Sequence, residues 1–98
     1  MIAYLTAEAE SDLEQLGDYI AQDNPSRALS FVLELHDKCL SLADAPLGFP
    51  LVARFEHHGI RRRPHGNYLI FYRIDAERVN VVHILHGSME YTHLLFEE

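Results

Sequence analysis

The sequence predicts an α+β fold of order β-α-α-β-β-β, a twisted and mainly antiparallel sheet packed against an α-helical hairpin. Apolar residues recur at helical spacing through the first half, and a proline in a polar break divides that half into two helices. From Gly59 onward the pattern changes to short strand-like runs separated by turns. At the usual size of about 100 to 200 residues per domain, the 98 residues form one domain spanning 1–98.

The first half is predicted to form a strand and two helices. Residues 2–5 alternate as in a strand, and Thr6 is suited to cap the helix that follows. Asp23-Asn24-Pro25 ends this helix and begins another, because proline fits the first helical position and disfavours helical geometry in the residue before it. The second helix is predicted over 25–44.

The second helix carries more apolar surface than packing on one sheet requires. A row formed by Leu29, Leu33 and Leu40 lies beside its main apolar stripe. Either the helix is central in the fold, or this row is reserved for a partner. The main stripe consists of Ala28, Phe31, Val32, Leu35, Cys39 and Leu42.

The second half is predicted to be a loop followed by an antiparallel meander. The prolines and glycine of 46–50 end the second helix, and the loop to His58 contains one short strand at 51–55. Ser88 is suited to cap a last helix that carries Met89, although an extended tail fits this segment equally well. The three meander strands are predicted at Gly59–Pro64, Tyr68–Ile74 and Val79–His86.

Composition and charge exclude several classes of protein. With 48% hydrophobic and 23% charged residues, the chain is too apolar for a disordered protein. The single Cys39 allows neither an internal disulfide nor a cysteine-rich metal site, and no apolar run reaches the length of a membrane span. We therefore expect a cytoplasmic protein without a bound cofactor, metal or membrane.

Cationic residues are concentrated in the second half of an acidic chain. The net charge is −7, and 1–53 hold nine acidic and two basic residues, whereas 54–98 hold six of each. Arg61-Arg62-Arg63 is a candidate for binding a partner, although charged residues also protect exposed edge strands from pairing. Arg73 ends the central strand, where it requires an anionic partner such as Asp75 or Glu90.

Histidine is the other candidate for a functional role. His83 and His86 have the H-x-x-H spacing of a metal pair, but residues three apart in a strand face opposite sides, so they converge only if the strand is broken. His86 lies where the last strand ends, a position that serves either a functional imidazole or a structural one. Covalent catalysis has no candidate, because no serine lies in a nucleophile elbow and Cys39 is surrounded by apolar residues.

Three segments in order resemble the RelE/ParE family of toxins from type II toxin-antitoxin systems, more closely its ParE branch. They are Tyr19-Ile-Ala-Gln-Asp-Asn-Pro25, the run from Gly59 to Arg73 (Gly-Ile-Arg-Arg-Arg-Pro-His-Gly-Asn-Tyr-Leu-Ile-Phe-Tyr-Arg), and Val82-His-Ile-Leu-His-Gly87. With the Pro46-Leu-Gly48 turn they span nearly the whole chain. The resemblance implies a RelE/ParE-like fold with the helix pair packed on the sheet.

The resemblance also implies a growth-inhibiting toxin held inactive by an antitoxin encoded beside it. ParE-like members poison DNA gyrase, whereas RelE-like members cleave mRNA on the ribosome. His83 stands where an arginine is usual, and Met89-Glu90 stands where Arg-Asp is expected. Both changes remove positive charge from the face that RelE-like members use on mRNA. The pattern therefore favours gyrase, with a ribosome-dependent endonuclease or an inactive interaction module as the alternatives.

The candidate site residues fall into three sets. Nothing in the sequence decides whether the chain is a homodimer or part of a toxin-antitoxin hetero-oligomer. The residues expected to bind the cellular target are Arg61, Arg62, Arg63, Tyr72, Arg73 and His86. Those expected to bind the antitoxin are Leu29, Leu33, Leu40, Leu94, Leu95 and Phe96. If the chain cleaves RNA, the catalytic residues are expected to be Arg61, Arg73, His83 and His86.

Overall fold

A computed structural model of the chain describes residues 1–96, and the predicted order of elements is confirmed. Four strands form one sheet in the order β1-β4-β3-β2, with β1 parallel to β4 and the other pairs antiparallel. No helix within 1–96 has the length and apolar character needed to cross a bilayer. The elements are β1 (Ile2–Leu5), α1 (Ala7–Ala21), α2 (Pro25–Ser41), β2 (Ile60–His65), β3 (Tyr68–Asp75), β4 (Arg78–His86) and α3 (Thr92–Leu95).

Side chains cap the first turns of α1 and α2, at Thr6 as predicted and at Asn24. The Thr6 hydroxyl accepts a hydrogen bond from the Ala9 amide at 3.1 Å, and the Asn24 side chain accepts one from the Arg27 amide at the same distance. These bonds satisfy amides that have no partner within their own helix. Gly17 permits close packing of α1 on α2, because a Cβ atom there would lie 2.9 Å from Cγ2 of Val32.

The end of α2 was predicted three residues too late. The helix ends at Ser41 instead of Asp44, since the amides of Leu42 and Ala43 bond to carbonyls three residues back and tighten the chain into a turn. The guanidinium of Arg63 donates to the Lys38 carbonyl at 3.2 Å and to the Ser41 hydroxyl at 3.0 Å. A cation on β2 therefore satisfies one of the carbonyls at the negative end of α2.

Two further boundary predictions were wrong. The segment 51–55 forms only an isolated bridge between Leu51 and Arg61, because Arg54 adopts a φ of 75° that ends any extended run. Ser88 does not cap the last helix, since its amide bonds to the side chain of His86. The helix α3 starts only at Thr92, whose amide donates to the Glu90 carboxylate.

The sheet has an apolar cluster on each side. On the helical face, buried residues of α1 and α2 such as Leu13 and Leu35 pack against Ile70, Tyr72 and Val81. On the opposite face, a smaller cluster joins Phe71 and Leu85 to the loop before β2 and to the C-terminal segment. Its members are Val52, Ile60, Phe71, Leu85 and Phe96, with Phe55, Leu69, Val82, Tyr91 and Leu95 packed against it. The central strand β3 is therefore apolar on both faces, as predicted.

Candidate functional site

The arginine run on β2 is divided between the two faces of the sheet. Arg61 pairs with Tyr72 and Arg63 with Ile70, so both side chains lie on the helical face. Arg61 donates to the Phe49 carbonyl at 2.7 Å, and the Arg63 guanidinium also stacks 4.7 Å from the centre of the Phe49 ring. Both cations thus hold the segment after α2 against the sheet. Only Arg62, which pairs with Phe71, is directed to the opposite face.

Tyr72 is fully buried, which contradicts the prediction that it contacts the target. Its hydroxyl donates to the Pro46 carbonyl at 2.7 Å, and burial raises the pKa of the phenol, so the hydroxyl stays protonated. The residue fixes the turn after α2 to the middle of the sheet. The tyrosine therefore has a structural role in this conformation.

Arg73 is half-exposed on the opposite face and is paired with Asp75. Its Nε atom donates to both carboxylate oxygens, at 3.0 and 3.1 Å, and Asn80 donates to the same carboxylate at 2.8 Å. The hydrogen bond from Asn80, followed by those from Arg73, lowers the pKa of Asp75. Of the two carboxylates predicted as partners, Asp75 is the one found, and the two residues form an ion pair at the surface.

His83 follows a β-bulge in β4 and contacts α1 through Asp12. Phe71 pairs with His83 but Tyr72 pairs with Val81, so Val82 is an extra residue in β4. Because β1 pairs only with Arg78–Val81, β4 is an edge strand from Val82 onward. There the carboxylate of Asp12 accepts the Ile84 amide at 2.9 Å and lies 2.7 Å from Nδ1 of His83.

Asp12 is the organising residue that the sequence analysis missed. The available signal is its position at the margin of the apolar stripe formed by Ala9, Leu13 and Leu16, where the other acids of α1 face solvent. Its partners lie 71 and 72 residues away along the chain. The spacing of residues in α1 therefore does not reveal that His83 and Ile84 are the partners of Asp12.

Replacing Asp12 by Ala is expected to lower the free energy of unfolding by about 1 to 3 kcal/mol, because the amide of Ile84 loses its acceptor in a partly buried place. Urea denaturation of the purified protein measures this change. Glu14→Ala, at an exposed position of the same helix, is the matched control and should stay within about 0.5 kcal/mol. Equal losses for the two variants would contradict the assigned role of Asp12.

His86 is exposed at the end of β4, as predicted. Its Nδ1 atom accepts the amide of Ser88 at 3.1 Å and lies 2.7 Å from the Ser88 hydroxyl. The ring also contacts the edge of Tyr68, with centroids 5.2 Å apart. Nδ1 is thus occupied within the turn, and Nε2 is the ring nitrogen that remains for a ligand.

Two surface cavities adjoin His83. One, of about 180 Å³, brings it together with Arg73 and Glu8, and the other, of about 320 Å³, brings it together with His86 and Tyr68. Of the four residues predicted for RNA cleavage, only Arg61 lines neither cavity, since it lies on the helical face. Within residues 1–96 no group of three or more potential metal ligands is present.

The residues predicted to bind an antitoxin differ widely in exposure. Leu29, Leu33 and Leu40 are 66%, 59% and 44% exposed and form one row on the outer side of α2. Leu94 is exposed as well, but it lines the larger cavity, to which no residue of α2 contributes. Leu95 and Phe96 pack into the cluster on the opposite face.

Phe96 contradicts the prediction that it binds the antitoxin directly. It is buried and stacks on Phe55 with ring centroids 4.2 Å apart. Cys39 agrees with the sequence analysis, because burial raises the pKa of its thiol to about 12 and leaves it unreactive.

Comparisons with known proteins agree with this fold. The chain is similar to a ParDE toxin-antitoxin system from P. aeruginosa, with a TM-score of 0.74 and 17% identity over 84% of this chain and 90% of that one. It is also similar to the RelBE2 toxin-antitoxin complex from Mycobacterium tuberculosis, with a TM-score of 0.58 and 27% identity over 88% of this chain and 99% of that one. No curated protein sequence is significantly similar to the chain.

Comparison of the sequence with family profiles identifies the family to which the chain belongs. Residues 3–91 match the sequence profile of the family described as "ParE toxin of type II toxin-antitoxin system, parDE". The match covers both long helices, β2, β3 and β4, and all of β1 except Ile2. The chain therefore belongs to the family of ParE toxins of type II toxin-antitoxin systems.

Proposed function

We propose that the protein inhibits growth by binding and poisoning DNA gyrase, and that a cognate antitoxin neutralises it. The choice of gyrase over RNA rests on how the arginines are bonded in the fold. Arg61 and Arg63 are bonded to backbone carbonyls, and Arg73 is paired with Asp75. A chain with net charge −7 that bonds Arg61 and Arg63 to its own backbone, and pairs Arg73 with a carboxylate at the surface, has few free cations for RNA phosphates.

A protein target requires only local complementarity and is therefore compatible with an acidic chain. Of the predicted target-binding residues, Arg73 and His86 are exposed, and Arg62 is partly buried on the same face of the sheet as Arg73. Inducing the chain in bacteria, with and without its antitoxin, tests the proposal. Growth arrest with inhibited supercoiling supports gyrase as the target, whereas an arrest with normal supercoiling rules it out.

Arg73→Ala separates target binding from folding. The ion pair with Asp75 is half-exposed, and such pairs contribute about 0 to 1 kcal/mol. We therefore expect the variant to stay soluble while growth inhibition is relieved, as measured by colony counts after induction. Arg78→Ala, at an exposed arginine that stacks on Tyr4, is the matched control and should remain toxic.

Arg61→Ala cannot separate target binding from folding. It removes the donor to the Phe49 carbonyl, so a loss of soluble protein is the expected result. If Arg73→Ala is soluble and fully toxic, Arg73 has no part in target binding.

One observation favours the endonuclease as a second candidate. His83 and His86 line the same cavity, as a general base and a general acid for metal-independent RNA cleavage require. No arginine or lysine among residues 1–96 lines that cavity, since Arg73 lies in the neighbouring one. Cleavage of mRNA by programmed ribosomes, lost on His86→Ala, would establish this function.

A further inference from the structure

Arg54 has a backbone conformation that residues with a side chain disfavour. The Phe55 amide donates to the Val52 carbonyl at 3.1 Å, which closes a turn with Arg54 as its third residue, and the φ of Arg54 is 75°. A positive φ at the third residue alone is typical of a type II turn, where glycine is preferred because a Cβ atom crowds the backbone. The chain keeps an arginine there at a cost in stability, and residues with such strain cluster at functional sites.

Both sides of this turn are anchored to the opposite face of the sheet. Val52 is buried in the cluster on that face, and its amide donates to the Ile60 carbonyl at 2.9 Å. Phe55 stacks on Phe96 with ring centroids 4.2 Å apart. Between these anchors Arg54 is exposed. The turn therefore presents the arginine to solvent from a fixed backbone, which reduces the entropy lost when a partner binds it.

Arg54 is the exposed arginine that has no partner within the described part of the chain. Among residues 1–96 its side chain forms no ion pair, hydrogen bond or ring contact. Each of the other exposed arginines has such a partner: Arg27 pairs with Glu34, Arg73 pairs with Asp75, and Arg78 stacks on Tyr4. No contact within the fold therefore accounts for an arginine at this position.

The loop that contains Arg54 adjoins Arg73. A Cβ atom at Gly59, near the end of this loop, would lie 3.9 Å from Cγ and Cδ of Arg73. We propose that Arg54 is a further target-binding residue, whose guanidinium pairs with a carboxylate of the target protein. The inference rests on the proposed function and deepens it, because it adds a second cation to the surface that contains Arg73.

The charges beside Arg54 favour a carboxylate over a nucleic-acid phosphate. Glu56, two residues further along the chain, is exposed as well. A nucleic-acid strand would bring a row of phosphates close to this carboxylate, whereas a protein surface can offer an acid to Arg54 and a hydrogen-bond donor to Glu56. The planar guanidinium binds a carboxylate through two parallel hydrogen bonds.

The test compares Arg54→Gly with Ala76→Gly. Ala76, in the turn between β3 and β4, is the other non-glycine residue of 1–96 with a positive φ, at 54°. Both substitutions remove strain, so each should raise the melting temperature by about 2 to 6 °C. Only Arg54→Gly should weaken binding to purified gyrase, by about tenfold, the effect of losing one charge-assisted pair. Weaker binding by a more stable protein cannot result from misfolding.

Binding is measured by surface plasmon resonance over immobilised gyrase free of DNA, and growth arrest is measured in parallel after induction. If the parent protein and Arg54→Gly bind gyrase equally, the inference fails while gyrase remains the target. Binding only to gyrase that carries DNA would replace the carboxylate with a phosphate and overturn the inference.

The growth assay separates this inference from the gyrase proposal. If the parent protein arrests growth without binding gyrase, the gyrase proposal fails. Relief of that arrest by Arg54→Gly but not by Ala76→Gly would still support Arg54 as a target-binding residue, and an unrelieved arrest would refute it. A parent protein that neither binds gyrase nor arrests growth would overturn both.

Discussion

Replacing Leu29, Leu33 and Leu40 together by Ser is expected to abolish rescue by the antitoxin while leaving the toxin folded and active. The three side chains form an exposed apolar row, and an amphipathic helix that covers such a row buries it from water. At about 1.5 kcal/mol for each leucine, the triple substitution weakens the complex about a thousandfold. Growth of cells that express both proteins measures the rescue.

The design separates binding from folding because none of the three leucines belongs to either apolar cluster of the sheet. Circular dichroism and thermal melting of the triple variant should therefore stay close to those of the parent protein. Leu47→Ser is the matched control, since Leu47 is 71% exposed but lies in the turn after α2. Full rescue of the triple variant would place the antitoxin elsewhere on the toxin.

The second large effect concerns the cellular target. With purified protein we expect inhibited supercoiling and accumulation of cleaved DNA by gyrase, and no cleavage of mRNA on programmed ribosomes. Binding to single-stranded RNA weakens with salt by about 0.7 logarithmic units per neutralised phosphate, and a toxin with few free cations neutralises few phosphates. The acidic surface of α1 adds repulsion within the screening length of about 8 Å.

Both assays should be run across the same salt series, so that the salt dependence of gyrase inhibition and of mRNA cleavage can be compared directly. The Arg73→Ala variant should lose gyrase inhibition, whereas the Arg78→Ala control should retain it. Cuts at fixed codon positions that disappear on His86→Ala would reverse the assignment and make the protein an endoribonuclease. Absence of both activities in a folded, soluble preparation would identify an inactive interaction module.

The sequence predicted the fold well because local patterns specify it. Thr6 and Pro25 mark where helices begin, and the change from helical to alternating periodicity marks where the meander starts. The four strands of the sheet were predicted to within one residue, whereas the strand predicted at 51–55 is only an isolated bridge. The errors lie where contacts distant in sequence, or an unusual backbone angle, decide the outcome, as at the end of α2 and at Arg54.

The site was less predictable, since a side chain's chemistry depends on what it meets in space. Tyr72 and Arg61 both belong to the motif that resembles the toxin family. In the structure, however, Tyr72 is buried and Arg61 donates to a backbone carbonyl. The bonds that fix them join residues 26 and 12 positions apart. No periodic pattern shows such partners.

The sequence alone determined the α+β fold, the membership in the toxin family and the apolar row on α2. The fold and the apolar row follow from local periodicity, and the family follows from motifs in a fixed order. Only the tertiary structure decided which cations reach the surface and which nitrogen of His83 or His86 carries a hydrogen. The reason is physical: an arginine is available only if no carbonyl or carboxylate occupies it, and a tautomer follows from its hydrogen-bond partners. Asp12, from the far end of the chain, supplies such a partner for His83.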